Sequence, residues 1–283
     1  MVYRRDFRRN KVTVRPKLSI TTWIIIINII LFFILSILSL FYPSIINFIA
    51  ISPSNILSNS YLWTIVSSIF MHGSFLHLFV NMISLFFLGG LTEKILGRKR
   101  YIWFYLIAGI VGGLFFVIFA YLGSFFARGD FLFGGIEDFA VGASGAIFGL
   151  LGILAVLLPR KKVYLIVGPL IVIIAQVLIM AIPNIPSSIS NIIDIVTGII
   201  IFVMIFSMFS PSKNLRKIAL PLSLPFWLSP IIAIIPLLII GLFVKLPIGN
   251  MAHFGGLVSG LVYGYYLRIK YKQKVKLINR MIK

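Results

Sequence analysis

His72, His77 and His253 are the only imidazoles in 283 residues, and each falls in or at the edge of an apolar run long enough to cross a bilayer. An ionisable group there is expensive and marks a functional position by default, although a lone membrane histidine also serves as a helix-packing hydrogen bond. His77 and Asn81 are four apart, so on a helix they share a face and can both donate into one cavity, as stabilising an oxyanion requires. Taken alone, Asn81 equally suits a tie to a neighbouring helix. Ser144 stands among small residues in Gly142-Ala143-Ser144-Gly145, and Gly149 and Gly152 continue that small face. By itself this is an ordinary packing helix. The last run repeats the device: Ala252, Gly256, Gly260 and Gly264 recur every four residues, with His253 beside the first of them. A serine nucleophile, a histidine base and two facing donors are the parts that acyl transfer needs. The only acid inside an apolar run, Asp194, has no evident reason to approach His253, so a Ser144–His253 dyad is expected in place of a triad. The chain has no cysteine, which excludes a disulfide framework, a thiolate nucleophile and a cysteine-ligated metal.

These side chains can meet only if helices bring them together. With 60% hydrophobic and 11% charged residues and a mean hydropathy of +1.10, the chain cannot cover its apolar area as a soluble globule and reads as an integral membrane protein. Apolar runs bounded by charge or by Pro, Gly and Asn occur near 21–41, 72–91, 101–123, 141–158, 163–182, 190–209, 226–244 and 249–267, which predicts an all-α polytopic bundle of eight spans. The first is read as an uncleaved span, since no small-x-small site follows its basic leader. The 26 Lys and Arg outnumber 6 Asp and Glu, and this excess sits in alternate loops. Arg4 to Lys17, Lys94 to Arg100, Arg160 to Lys162, Lys213 to Lys217 and Arg268 to Lys283 fall on one side. Arg128, Lys245, Asp130, Glu137 and Asp138 fall on the other. Such segregation predicts a multi-pass protein of the cell membrane with both termini cytoplasmic. The organisation expected is a basic segment 1–20, a transmembrane domain 21–267 and a basic tail 268–283. An odd number of spans separates the Ser144 and His253 helices, so both enter from the outer side. Each residue then lies about 5 Å below its span start at roughly 1.5 Å per residue, with His77 comparably shallow.

The ordered set His72-x4-His77-x3-Asn81, Gly142-Ala143-Ser144-Gly145 and Ala252-His253-x2-Gly256-x3-Gly260 resembles the rhomboid family of intramembrane serine proteases. The resemblance runs from about Trp63 to Leu267 and includes Gly89-Gly90, Glu93 and Gly97. It implies a six-helix core with Ser144 as nucleophile, His253 as base, and an oxyanion hole from the Ser144 N–H with His77 and Asn81. His72 would support the mouth of the site. Phe148 would set an aromatic ring against the base, although its plainer role is core packing. Residues 43–70 would form a partly embedded outer loop in which Trp63 matches the family's Trp-Arg pair, with Thr64 standing where the arginine would be. Three helices separate serine and base where the core has one, so 163–209 is read as an inserted hairpin. Leu222 to Val244, with Pro225, Pro230 and Pro236, is then the family's fifth core helix, a bendable one associated with lateral substrate access.

The activity expected is endopeptidase cleavage of transmembrane segments in single-span membrane proteins, near the outer surface and within the lipid bilayer. The resemblance implies a small residue before the scissile bond. No metal, other cofactor or nucleic-acid partner is expected. A zinc site from the three histidines lacks the His-Glu-x-x-His acid and spacing. A non-catalytic membrane-client binder would keep the fold without needing Ser144 and His253, and a transporter offers no reason for those two at matched depth.

Overall fold

The computed structural model describes residues 18–180, 182, 184–245 and 249–281. Arg4 to Lys17 and Lys283, part of the basic segregation, lie outside the described residues. The bundle contains α1 (Ile20–Phe41), α2 (Phe75–Leu96, with a π-turn at Leu85–Gly89) and α3 (Arg98–Gly123), followed by α4 (Ser144–Leu157). A strand β1 (Lys162–Ile166) leads into α5 (Val167–Met180) and α6 (Ser187–Ser207). A second strand β2 (Pro221–Pro225) leads to α7 (Ser229–Gly241), α8 (Asn250–Lys270) and α9 (Lys272–Met281). Each of the eight expected runs holds one of α1 to α8. By length and composition α1, α2, α3 and α6 suffice to cross a membrane, while α4, α5 and α7 are shorter apolar helices. Outward-facing Ile192, Ile195 and Ile199 on α6 are well exposed, as a lipid-facing surface requires. The chain is a helical multi-pass membrane protein.

Several boundaries differ from the sequence reading. The stretch 163–166 and the stretch 221–225 are not helical but pair antiparallel, with Lys162 opposite Pro225 and Ile166 opposite Pro221. Pro221 and Pro225 lack the N–H a helix would use, and Val163, Tyr164 and Ile166 favour extended backbone. The α5–α6 hairpin is therefore bracketed by a ribbon whose two ends lie side by side. It meets α2 through Phe79, whose ring stacks on Phe206 at 5.6 Å, and through Phe87, stacked on Phe209. α4 likewise begins at Ser144 rather than at 141, because Gly142 has φ +127°, outside any helix.

Small residues decide how α3, α4 and α8 assemble. A Cβ on Gly256 or Gly260 would collide with the carbonyl of Gly145 or Gly149, and one on Gly112 would lie 2.7 Å from Ala252 O. The three backbones thus touch directly, the expected packing of the two small-faced helices with α3 added. At the far end of α2, Glu93 turns back to α1. Its carboxylate accepts from the N–H groups of Ile20 and Thr21, both at 2.8 Å, and from the Thr21 hydroxyl at 2.7 Å. These first-turn amides have no acceptor within their own helix, so Glu93 caps α1 with a full charge.

Candidate active site

Residue Ser144 is the first of α4, and its position is held by the loops around it. The residues before α1's partner helix α2 form short helices at Ile45–Ile49, Pro53–Leu57 and Thr64–Ser67. They are stitched to the strand of chain preceding Ser144: Ile51 and Ala140 exchange hydrogen bonds of 3.1 and 2.9 Å, and Gly142 N–H donates to Ser68 O at 2.9 Å. In that loop the Trp63 indole donates to Phe48 O at 2.8 Å, and the buried Thr64 hydroxyl donates to Tyr61 O at 2.7 Å. At the position the family gives to arginine, a short side chain closes the local turn.

His253 is the fourth residue of α8, and the small-residue seam sets its register against Ser144. Gly145, next to Ser144, faces Ala252, next to His253: a Cβ on Gly145 would lie 3.4 Å from Ala252 O. The result is a hydrogen bond of 2.8 Å between His253 Nε2 and Ser144 Oγ across 109 positions of chain. The Phe148 ring, one turn along α4, stacks on the imidazole with centroids 4.5 Å apart and planes 16° from parallel. His253 Nδ1 is buried without a hydrogen-bond partner among the described residues. That nitrogen is where a triad's carboxylate would bind, and no described carboxylate reaches it. Asp194 is elsewhere, on the exposed side of α6, accepting from Gln176 Nε2 at 2.5 Å.

α2 starts at Phe75, capped by the Ser74 hydroxyl, which accepts from His77 N–H at 3.1 Å. His77 and Ser144 flank Gly142: a Cβ there would lie 2.8 Å from His77 Nε2 and 3.7 Å from Ser144 Oγ. Glycine at 142 is thus required twice, by its positive φ and by the imidazole against it. Asn81 is buried, and its Nδ2 donates to His77 O at 2.9 Å, one turn back along its own helix. This uses one of its two amide protons and leaves the other. No described hydrogen bond joins Asn81 to Ser144 or His253. His72, at the edge of the expected run, lies three residues before α2 starts; it is buried, both ring nitrogens lack a partner among the described residues, and its ring is edge-on to His77 at 5.1 Å. The Ser144 N–H, in the first turn of α4, has no intrahelical acceptor. The contribution that sequence reading missed is the conformation of Gly142, which appeared only as a small residue. Its dihedral angle has no signature in composition.

The segment before Ser144 is also tied to the α7–α8 connection. Lys245 Nζ lies 3.0 Å from Asp138 and 3.6 Å from Asp130, and the hydrogen bond to Asp138 holds its ammonium pKa above the usual lysine value. Charges assigned to one side of the membrane thus meet.

A family model described as the Rhomboid domain matches residues 59–208, more than half of the chain. "RHOMBOID-like protein 5" of Arabidopsis thaliana is 40% identical over 90 residues, covering 32% of this chain and 25% of that protein. "Putative rhomboid protease YdcA" of Bacillus subtilis is 31% identical over 96 residues, 34% of this chain and 41% of that protein. "Inactive RHOMBOID-like protein 8" of Arabidopsis thaliana is 39% identical over 61 residues, 22% of this chain and 17% of that protein. The chain therefore spans less than half the length of each of these relatives. The matched domain includes His72, His77, Asn81, Ser144 and Phe148 and stops short of His253, which the fold alone brings to the serine. Motif order, helical bundle and family match agree, and the chain belongs to the rhomboid family.

Proposed function

We propose that this protein is an intramembrane serine endopeptidase that cleaves transmembrane segments of single-span membrane proteins with a Ser144–His253 dyad. The observation that carries the reading is the 2.8 Å contact between Ser144 Oγ and His253 Nε2, with Phe148 stacked behind the base. In the first half-reaction His253 Nε2 takes the Ser144 proton as Oγ attacks the scissile carbonyl carbon. The tetrahedral oxyanion receives hydrogen bonds from the Ser144 N–H, His77 Nε2 and the second Asn81 amide proton. The C–N bond then breaks as His253 returns its proton to the departing amine, leaving an acyl-enzyme on Ser144. In the second half, water gives a proton to His253 as it attacks the acyl carbon, and the acyl C–Oγ bond breaks as His253 returns that proton to Ser144, releasing the new carboxyl terminus. Substrate helices shield their peptide bonds by internal hydrogen bonding, so segments weakened by Gly, Pro or polar residues would be cut most readily.

The site would lie near the outer surface of the cell membrane with both termini cytoplasmic. Support comes from Arg268, Lys272, Lys276 and Arg280, which gather beside the end of α4 remote from Ser144, where the positive-inside rule expects the cytoplasm. A second reading, a non-catalytic binder of membrane clients, is favoured by the likeness to a relative named as inactive. It gives no reason for the serine–imidazole hydrogen bond. Purified protein treated with a fluorophosphonate is expected to carry the adduct on Ser144 and to cleave a single-span test substrate. Ser144→Ala and His253→Ala should each abolish both. A folded wild-type protein that is neither labelled nor active would establish the non-catalytic reading.

A further inference from the structure

At the end of the bundle remote from Ser144, a cleft of about 380 Å³ opens between the last turn of α4, the end of α8 and the helix α9. Arg268, Lys272, Lys276 and Arg280 line it, four cations spaced every four residues and so carried on one face across the α8–α9 junction. Apart from Asn279 its remaining wall is apolar, including Leu157, Pro159 and Val275. The cleft is built rather than incidental. Asn279 Nδ2 donates to Leu157 O at 2.7 Å, pinning α9 to the end of α4, and Tyr271, Val275 and Ile278 pack on the core.

Nothing described in this chain neutralises the four charges. Of the chain's 6 acids, Glu93 caps α1, Asp194 lies on α6, Asp130 and Asp138 hold Lys245, Glu137 accepts from Ser54, and Asp6 lies outside the described residues. Among the described residues the ion pairs are those of Lys245. Four like charges around an apolar floor repel one another unless an anion joins them. α9 is also amphipathic, with exposed Leu277 and Met281 beside its lysines, the pattern of a helix lying in a membrane interface.

We infer that this cleft binds the phosphate headgroup of an anionic phospholipid, with the acyl chains running along Leu157, Pro159 and Val275 into the hydrocarbon. Arginine matches phosphate oxygens in a bidentate fork and lysine adds point charge, while the apolar wall selects a lipid over a soluble phosphate. The site lies at the opposite end of α4 from the dyad and is independent of the proposed catalysis.

The test uses the full chain, delipidated in neutral detergent, with phosphatidylglycerol, phosphatidylcholine or inorganic phosphate added, read by native mass spectrometry and by Tm. Phosphatidylglycerol is expected to give discrete adducts and raise Tm, with neither effect from the other two. The Lys276→Gln/Arg280→Gln pair should weaken that binding about twenty- to thirtyfold, the effect of two juxtamembrane cations. Lys213→Gln/Lys217→Gln, a pair outside the cleft, should leave it unchanged. Equal adducts with phosphatidylcholine, an equal loss in the second pair, or the same Tm rise with inorganic phosphate would each overturn the inference. Should the first pair not fold, Lys276→Gln alone is compared with Lys276→Arg. Retained affinity in the arginine variant and loss in the glutamine variant supports the site, and equal affinity in both overturns it.

Discussion

Among the described residues His253 Nδ1 has no partner, so the buried ring is held by its Nε2 hydrogen bond to Ser144 and by the ring of Phe148 at 4.5 Å. Such stacking is worth about 0.5–1.5 kcal/mol, so Phe148→Ala is expected to lower kcat by about two- to tenfold with KM little changed, and Phe148→Tyr should restore it. An unchanged kcat in the alanine variant would return Phe148 to core packing. Asn81 poses a different question, since its amide already serves its own helix. If its second proton reaches the oxyanion, Asn81→Ala lowers kcat by about 10²-fold or more, the loss seen on removing one such donor. A loss of Tm with kcat intact would make Asn81 a helix tie. At this scale the sequence was informative about identity and silent about conformation. Residue types, spacing and order nominated Ser144, His253, His77 and Asn81, and the family resemblance added Phe148, whereas the bond of Asn81 back to His77 O and the loop position of His72 depend on where α2 starts, three residues later than hydropathy suggests.

Between elements, the seam of α3, α4 and α8 is made of backbone against backbone, and at Gly256 and Gly260 it has no room for an added atom. Gly256→Ala would drive a methyl into Gly145 O and should lower stability by about 1–3 kcal/mol, as overpacking does. Gly198→Ala, on the exposed hairpin where nothing lies within 4 Å, should be neutral or stabilise by up to about 1 kcal/mol through helix propensity. Thermal unfolding in one detergent measures both, and the opposite ordering would mean that the close approach does not hold α4 to α8. This seam was legible, because glycines three or four residues apart on two helices make a face small enough for close packing in a membrane. The capping of α1 by Glu93 was not, since the partner amides are 72 and 73 positions away and carry no side-chain signal.

At the scale of the whole molecule, the runs that hold α1 to α8 are legible as apolar stretches bounded by charge or by Pro, Gly and Asn, while the β1–β2 ribbon is not, because its strands are five residues each and pair across 54 intervening positions. Its geometry makes the α5–α6 hairpin removable. Replacing residues 167–220 by Asn-Gly should close the ribbon as a two-residue hairpin. Fluorophosphonate labelling of Ser144 should survive, and its loss in a folded variant would show that the hairpin shapes the site. Ile166 already faces Pro221, so the number of residues between serine and base can vary at that junction without parting the two strands. The interval between them in the chain is then a matter of history instead of chemistry. A pattern search written with a fixed gap between the two motifs would pass over proteins of this build, whereas one that scores each motif separately and asks only for their order would recover them.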